Sequence, residues 1–400
     1  MSMENKSVFY LGVDIGKYHH QATLIDERRN QIGESLRFDN SLTGFELLTQ
    51  TIKKRLPKNA TVEIGMEATG HYYWHLKNYI ADIGFGSLQI FNPIETQKLS
   101  KTRIRKVKND KVDSLIIAQL VSQKTNNHPA IKENFELRQL KDLTRFCEKL
   151  KAQKRFYQQE LSVLMERLCP EFSAYFSNIF LATPLMIIKK HFLGNIKSEQ
   201  LVEAIMKTSR GRTSKAKARE IINMLENSIG KEYRCSNAKL QLKMLLESLD
   251  LSCKQIAKIK KQVEKASQQF EEIKYLNSIK GVSNYLASVI LCEIGNINRF
   301  SNKGQLTAFA GLDASVKESG EYRRKQGNHI SKRGSKHLRR QLYYAAKTAI
   351  MFDPELTAYY QKKKEQGKHY NVIMIAVARK ILMRCYAVLK QKRLYELRNS

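Results

Sequence analysis

The chain has 400 residues, 70 of them lysine or arginine and 38 aspartate or glutamate, a formal charge of +32 at pH 7. That length suits two or three domains, and so large an excess repels itself unless a polyanion relieves it, nucleic acid being the commonest. The longest apolar stretch, VIMIAVA at 372–378, is too short to span a bilayer, and no apolar signal segment opens the sequence, so a cytoplasmic protein is expected.

In chain order, VFYLGVDI (8–15) and QATLID (21–26) read as strands, and IGESLRF (32–38) as a third. LTGFELLTQTIKKRL has helical spacing and stops at Pro57. TVEIGMEATG (61–70) is a buried strand running into a Gly-ended loop. A helix over 72–83, the strand SLQIF (87–91) and a helix opening near Pro93 follow. Strands in a meander and then alternating with helices predict a mixed α/β sheet.

The middle is helical. From 136 to 168, Leu140, Cys147, Leu161 and Leu168 form one heptad column, and Leu143, Leu150, Tyr157 and Leu164 the other. A second run sets Leu242, Leu249, Ile256, Val263 and Phe270 beside Leu245, Ile259, Ala266 and Ile273, with Ser252 as the exception. Such filling predicts a dimerising coiled coil, with an intramolecular helical hairpin as the other solution. Between the runs, 170–240 is helical and lysine-rich, and GRTSKAK (211–217) reads as an exposed loop. IKGVSNYLASVILCEIG then places a Gly-centred turn between two helices, and a last helix covers 371–390. The expected domains are 1–130, 131–275 and 276–400.

Six cysteines without a CxxC pair imply neither a zinc site nor a disulfide framework. The carboxylates are more informative. Asp14 ends an apolar strand in GVDIG, where an acid is costly without a partner, and Glu67 ends another in GMEATG. Asp110 and Asp113 stand three apart, on one face if helical, inside the basic run KTRIRKVKNDKVDS. The helix dipole alone could place two acids there. A divalent cation between them and a phosphate is the other explanation, since phosphodiester chemistry needs several acids converging from separate segments. Lys101, Arg103, Arg105, Lys106 and Lys108 would then hold the strand. GVDIG alone also suits the phosphate loop of actin-like sugar kinases.

Near the other end, residues 321–345 carry eight lysines and arginines against one acid, Glu321, with Gly320, Gly327 and Gly334 nearby. Arg323, Arg324 and Lys325, then Lys332 and Arg333, then Lys336, Arg339 and Arg340 make a phosphate-tracking surface. Ser319 sits in ESG at its edge, which taken locally is a turn serine.

The order of the four acids resembles the DEDD set of the RuvC-like branch of the ribonuclease H superfamily. AFAGL, ESG and ISKRGSKHLRR resemble the C-terminal domain of the IS110 family of insertion-sequence transposases. These are relatives of the Piv DNA invertase, and some are guided by a bridge RNA. GVDIG, MEATGHY and NDKVDS match that family's N-terminal half.

The resemblance implies a RuvC-like mixed sheet, a coiled-coil middle and a mainly helical C-terminal serine domain. It further implies Mg²⁺ on Asp14, Glu67, Asp110 and Asp113, and Ser319 as a nucleophile forming a phosphoserine bond to DNA. A guide RNA, a dimer or tetramer with a site shared between protomers, and association with the nucleoid are implied with it. Arg323, Arg324 and Lys325 would stabilise charge growing on phosphorus. Ser283 in KGVSN stands where the family usually has a glycine, and GLDAS replaces a proline-containing version. A metal nuclease with Ser319 idle, or a non-catalytic nucleic-acid-binding protein, are the other readings.

Overall fold

The computed structural model describes residues 7–67, 70, 72–91, 96, 110–124, 134–230, 236–314 and 329–396. The chain divides into two compact units, Met1–Lys132 and Glu133–Ser400.

The first unit is built on β1 (Val8–Ile15), β2 (His19–Ile25), β3 (Leu36–Asp39), β4 (Thr61–Glu67) and β5 (Ser87–Phe91), in the order β3-β2-β1-β4-β5. β1, β2 and β3 form an antiparallel meander, whereas β4 and β5 add in parallel beyond β1. This is the mixed sheet expected of a ribonuclease H-like fold. The third strand begins later than its apolar pattern suggests. Gly33 turns the chain at φ 70°, and Arg55 Nη1 donates to the Glu34 carbonyl at 2.7 Å, so that segment makes a turn instead.

α1 (Leu42–Arg55) and α2 (Tyr73–Asp82) cover one face. Ser41 caps α1 by accepting the Gly44 N–H, and Leu56, extended before Pro57, ends it. Alternation along β1 sends Leu11, Val13 and Ile15 into the core with Phe45, Leu48, Ile52, Leu76 and Ile80. The opposite face receives α3 (Asp110–Lys124), whose Ile116, Ile117, Ala118, Leu120 and Val121 pack with Tyr10, Ile25 and Phe91. The helix expected near Pro93 lies outside the described residues.

The second unit is helical. α4 (Phe135–Leu168) is followed by α5 (Phe172–Tyr175), α6 (Ala182–Ile187), a π-helical turn (Ile188–Leu193), α7 (Ser198–Thr208) and α8 (Lys215–Glu226). Next come α9 (Ser236–Ser267), α10 (Glu272–Asn277), α11 (Asn284–Ile294), a 3-10 turn (Ile297–Arg299) and α12 (Lys303–Phe309). α13 (Lys336–Phe352), α14 (Pro354–Glu365) and α15 (Tyr370–Gln391) complete it.

The two heptad runs are α4 and α9, and they pack on each other within one chain. Leu140, Cys147 and Leu150 share a core with Ile256, Val263 and Phe270, while Leu161, Leu164 and Leu168 share another with Leu242 and Leu249. The start of α4 thus meets the end of α9, an antiparallel hairpin. The seams expected to join two protomers fill one another instead. Ser252 fits the buried seam because its hydroxyl donates to the Ser248 carbonyl at 2.8 Å.

Helices α5 to α8 close one end of the hairpin through Phe172, Ile187, Phe192, Leu201 and Ile221. The loop expected at 211–217 is shorter, because Ser214 caps α8 and Lys215 to Lys217 are already helical. The other end of the hairpin packs with α11, α13 and α15 in one core.

Candidate metal centre and the serine segment

Two glycines set the geometry of the acid cluster. Gly12 on β1 and Gly65 on β4 are directly paired, so the sheet has a flat spot under α3. A Cβ at Gly12 would lie 2.1 Å from the Ser114 carbonyl oxygen and 2.2 Å from the Ala118 nitrogen; one at Gly65 would lie 2.3 Å from Val121 Cγ2. At Gly12 backbone therefore rests on backbone, at Gly65 side chains of α3 rest on it, and a hydrogen bond between the Thr23 and Ser114 hydroxyls at 2.7 Å fixes the contact.

Two residues beyond each glycine, on the same face, come Asp14 and Glu67. The pairing of Val13 with Met66 brings those two side by side on adjacent strands. Asp110 and Asp113 occupy the first turn of α3, the end seated beside them through Ser114. The expected i, i+3 arrangement is present.

Asp14 registers the gathering. Its carboxyl is half-buried and pushed up to about 6, first by burial and then by the negative charges of Asp113, Asp110 and Glu67. Glu67 Oε2 also accepts the hydroxyl of the buried Thr96 at 2.5 Å. Among the described residues, no group of three or more His, Cys, Asp or Glu side chains is placed to hold a metal ion. The donor set nonetheless fits a hard divalent cation: four carboxylates from three elements repel one another, and a 2+ ion at their centre would relieve the repulsion. The helix dipole accounts for Asp110 and Asp113 but not for Asp14 and Glu67, which lie on strands. Lys101, Arg103, Arg105, Lys106 and Lys108 lie outside the described residues.

Ser319, Arg323, Arg324 and Lys325 lie outside them as well, but the residues on either side, up to 314 and from 329, are described. Ala314 bridges Ile330, the Ser331 N–H donates to the Asp313 carbonyl at 2.8 Å, and the Ser331 hydroxyl donates to Asp313 Oδ1 at 2.5 Å. Gly334 passes against the Phe309 carbonyl, where a Cβ would stand at 2.0 Å. Ser335 then caps α13 by accepting the Leu338 N–H and donates its own hydroxyl to Glu293 Oε2 at 2.8 Å.

Glu293, with its side chain wholly buried, also receives Arg145 Nε at 2.8 Å and Nη2 at 3.1 Å. Burial pushes its carboxyl up, but Arg145, Lys141 and Ser335 outweigh that and hold it below the ordinary glutamate range. The start of α13 is thereby tied to α4 and α11.

The basic residues of this stretch divide. Lys332, Arg333 and Lys336 are exposed. Arg339 Nη1 donates to the Ala310 carbonyl at 2.9 Å, and Arg340 Nη1 to the buried Glu148 at 2.9 Å, so both have internal partners. Sequence reasoning missed Gly12, Gly65, Glu293 and Glu148. The glycines stood in view in GVDIG and EIGME, but their close approach to α3 depends on register. Ser283, the departure noted in KGVSN, caps α11 by accepting the Leu286 N–H.

Comparison with known proteins finds relatives along most of the chain. Residues 11–170 match the model of a transposase domain, DEDD_Tnp_IS110, and residues 273–361 match the transposase model of the IS116/IS110/IS902 family. The uncharacterized protein of insertion element IS116 of Streptomyces clavuligerus is 22% identical over 394 residues, 96% of each chain. The pilin gene-inverting protein of Moraxella lacunata is 23% identical over 391 residues, 97% of this chain and 98% of that protein. The mini-circle putative transposase for IS117 of Streptomyces coelicolor is 22% identical over 382 residues, 91% of this chain and 89% of its own length.

The sheet and its acids define a ribonuclease H-like DEDD domain. Joined to the second, mostly helical domain in this order, they make the chain a member of the IS110/IS116 family of transposases.

Proposed function

We propose that the protein is a DNA transposase or site-specific recombinase that cuts and rejoins strands through a phosphoserine bond to Ser319. One observation supports the metal half of this reading most directly: three acids from β4 and α3 bear on Asp14 at the end of β1. Asp14, Glu67, Asp110 and Asp113 would hold Mg²⁺, which supplies charge neutralisation at the scissile phosphate.

In the cutting step the Ser319 oxygen bonds to phosphorus and the bond from phosphorus to one deoxyribose oxygen breaks. The serine proton passes to solvent and the departing deoxyribose oxygen takes one up. Resealing repeats the exchange with the hydroxyl of another strand end, so the ester energy is conserved and no nucleotide cofactor is needed. The relatives named for insertion elements and for gene inversion support DNA as the substrate. A structured guide RNA beside it follows from the family resemblance, the charge of +32 suiting DNA alone as well as DNA with RNA, and a dimer or tetramer would let Ser319 of one protomer serve the acids of another.

The test is a trapping assay. Protein with its co-purifying RNA is mixed with labelled DNA carrying the flanking element ends and Mg²⁺, then run on denaturing gels. Label retained on wild-type protein and lost in both Ser319→Ala and Asp14→Asn is expected. Cleavage without retained label, equal in wild type and Ser319→Ala, would leave a metal nuclease and overturn the serine step.

A further inference from the structure

Gln21 lies across the β1–β2 ladder from Asp14, Cα opposite Cα. Directly opposed residues of an antiparallel pair project on the same face. The adjoining pairs identify that face. Thr23, opposite Gly12, bonds the Ser114 hydroxyl of α3, and Ile25, opposite Tyr10, packs in the α3 core. Gln21 therefore sits on the α3 side of the sheet, next to Asp14.

The residue is only 6% exposed, and its Nε2 meets no hydrogen-bond partner among the described residues. A buried amide with unmade bonds is destabilising, and an apolar side chain of the same length would fill this place without that cost. An amide offers one thing an apolar residue cannot: two N–H donors beside a carboxylate. It also offers them without charge. A lysine here would compete with a bound cation, and a glutamate would add to the repulsion already acting on Asp14.

We propose that Gln21 is a positioning residue, its amide donating to the Asp14 carboxylate oxygen turned away from the cation once a cation gathers the four acids. The inference rests on the cation-binding reading above. A carboxylate that ligates through one oxygen leaves the other with free lone pairs, and a neutral donor on that oxygen fixes its orientation and favours the ionised form.

Full-length wild type, Gln21→Met and Asp14→Asn are compared by calorimetric titration with Mn²⁺ and by urea denaturation. Gln21→Met keeps the length and removes the donors. It should hold or raise the denaturation midpoint, because a buried orphan has gone, and should weaken Mn²⁺ binding by roughly 10- to 100-fold. Unchanged Mn²⁺ affinity in Gln21→Met, with binding lost in Asp14→Asn, would overturn the positioning role and leave the cation site standing. Absence of Mn²⁺ binding to wild type, or equal binding to Asp14→Asn, would overturn both. Gln21→Thr, which suits a strand and is too short to reach the carboxylate, gives the same decision if Gln21→Met does not fold.

Discussion

Replacing Gly12 with alanine tests whether the acid cluster depends on the contact of α3 with β1. The new Cβ would meet the Ser114 carbonyl oxygen at 2.1 Å and the Ala118 nitrogen at 2.2 Å, with Ala118 Cα at 2.9 Å. All three are main-chain atoms, so no side chain can swing aside. Restoring ordinary contact requires α3 to retreat by roughly 1 Å or more. That opens the interface between Ile116, Ile117 and Ala118 and the strand residues Tyr10 and Ile25. Overpacking of this kind costs about 1–3 kcal/mol, and the upper end is expected because the obstruction is backbone.

Trp74, the single tryptophan, lies in α2 of the first unit, so its fluorescence during urea denaturation reports that unit's unfolding. The retreat also carries Asp110 and Asp113 away from Asp14, and a misplacement of about 1 Å costs roughly 100-fold in activity. Gly65→Ala should be milder, since its first obstacle is the Val121 methyl at 2.3 Å, which belongs to a side chain. A Gly12→Ala protein with the wild-type Trp74 midpoint and wild-type Mn²⁺ affinity would refute the argument, and so would a Gly65→Ala protein that suffers more.

Removing Glu293 should destabilise the second unit alone. Glu293→Gln is expected to cost about 2 kcal/mol by circular dichroism, less than a fully buried pair because Arg145 is 42% exposed, with the Trp74 transition unmoved. The same carboxyl predicts a pH dependence. Held below its ordinary value of 4.5 in the folded state, it contributes stability above that pH and loses it as pH falls through its folded value, so the second unit should weaken below about pH 4.5 and Glu293→Gln should flatten that loss.

The exposed and paired basic residues should also separate. Lys332→Ala and Arg333→Ala should each lower the slope of log DNA affinity against log salt by about 0.9, whereas Arg340→Ala should chiefly lower stability, modestly, by taking one cation from the buried Glu148 while Lys151 keeps its place at 2.6 Å. Finally, Asp14→Asn should abolish strand cleavage while leaving nucleic-acid binding intact in a filter assay. Retained cleavage would remove the acids from the chemistry.

Much of the first unit was legible because its signals are local. An acid closing an apolar run shows Asp14 and Glu67 directly, and an i, i+3 pair shows Asp110 and Asp113. The order of those segments was enough to suggest that they meet. What holds them together was not legible. The approach at Gly12 depends on Ser114, far along the chain, and the burial of Gln21 depends on which residue it opposes across a ladder. Residues 32–35 had a strand's composition but not its conformation, because Gly33 and Arg55 provide a turn and an outside donor.

Charge was the less reliable guide in the second unit. A cluster of arginines in sequence suggests a single phosphate surface, yet Arg340 reaches a partner 192 residues away, and nothing near position 340 announces it. The heptads were ambiguous for a related reason. A seam of apolar residues records that a helix partner exists, not which chain supplies it, and the second helix of the same chain is present at far higher effective concentration than another copy. Once α4 and α9 pair, the start of α4 carries Arg145 to Glu293 of α11 and Glu148 to Arg340 of α13. The hairpin thereby becomes the base on which Ser335 and Glu293 fasten the start of α13, close in sequence to the bridge between Ala314 and Ile330.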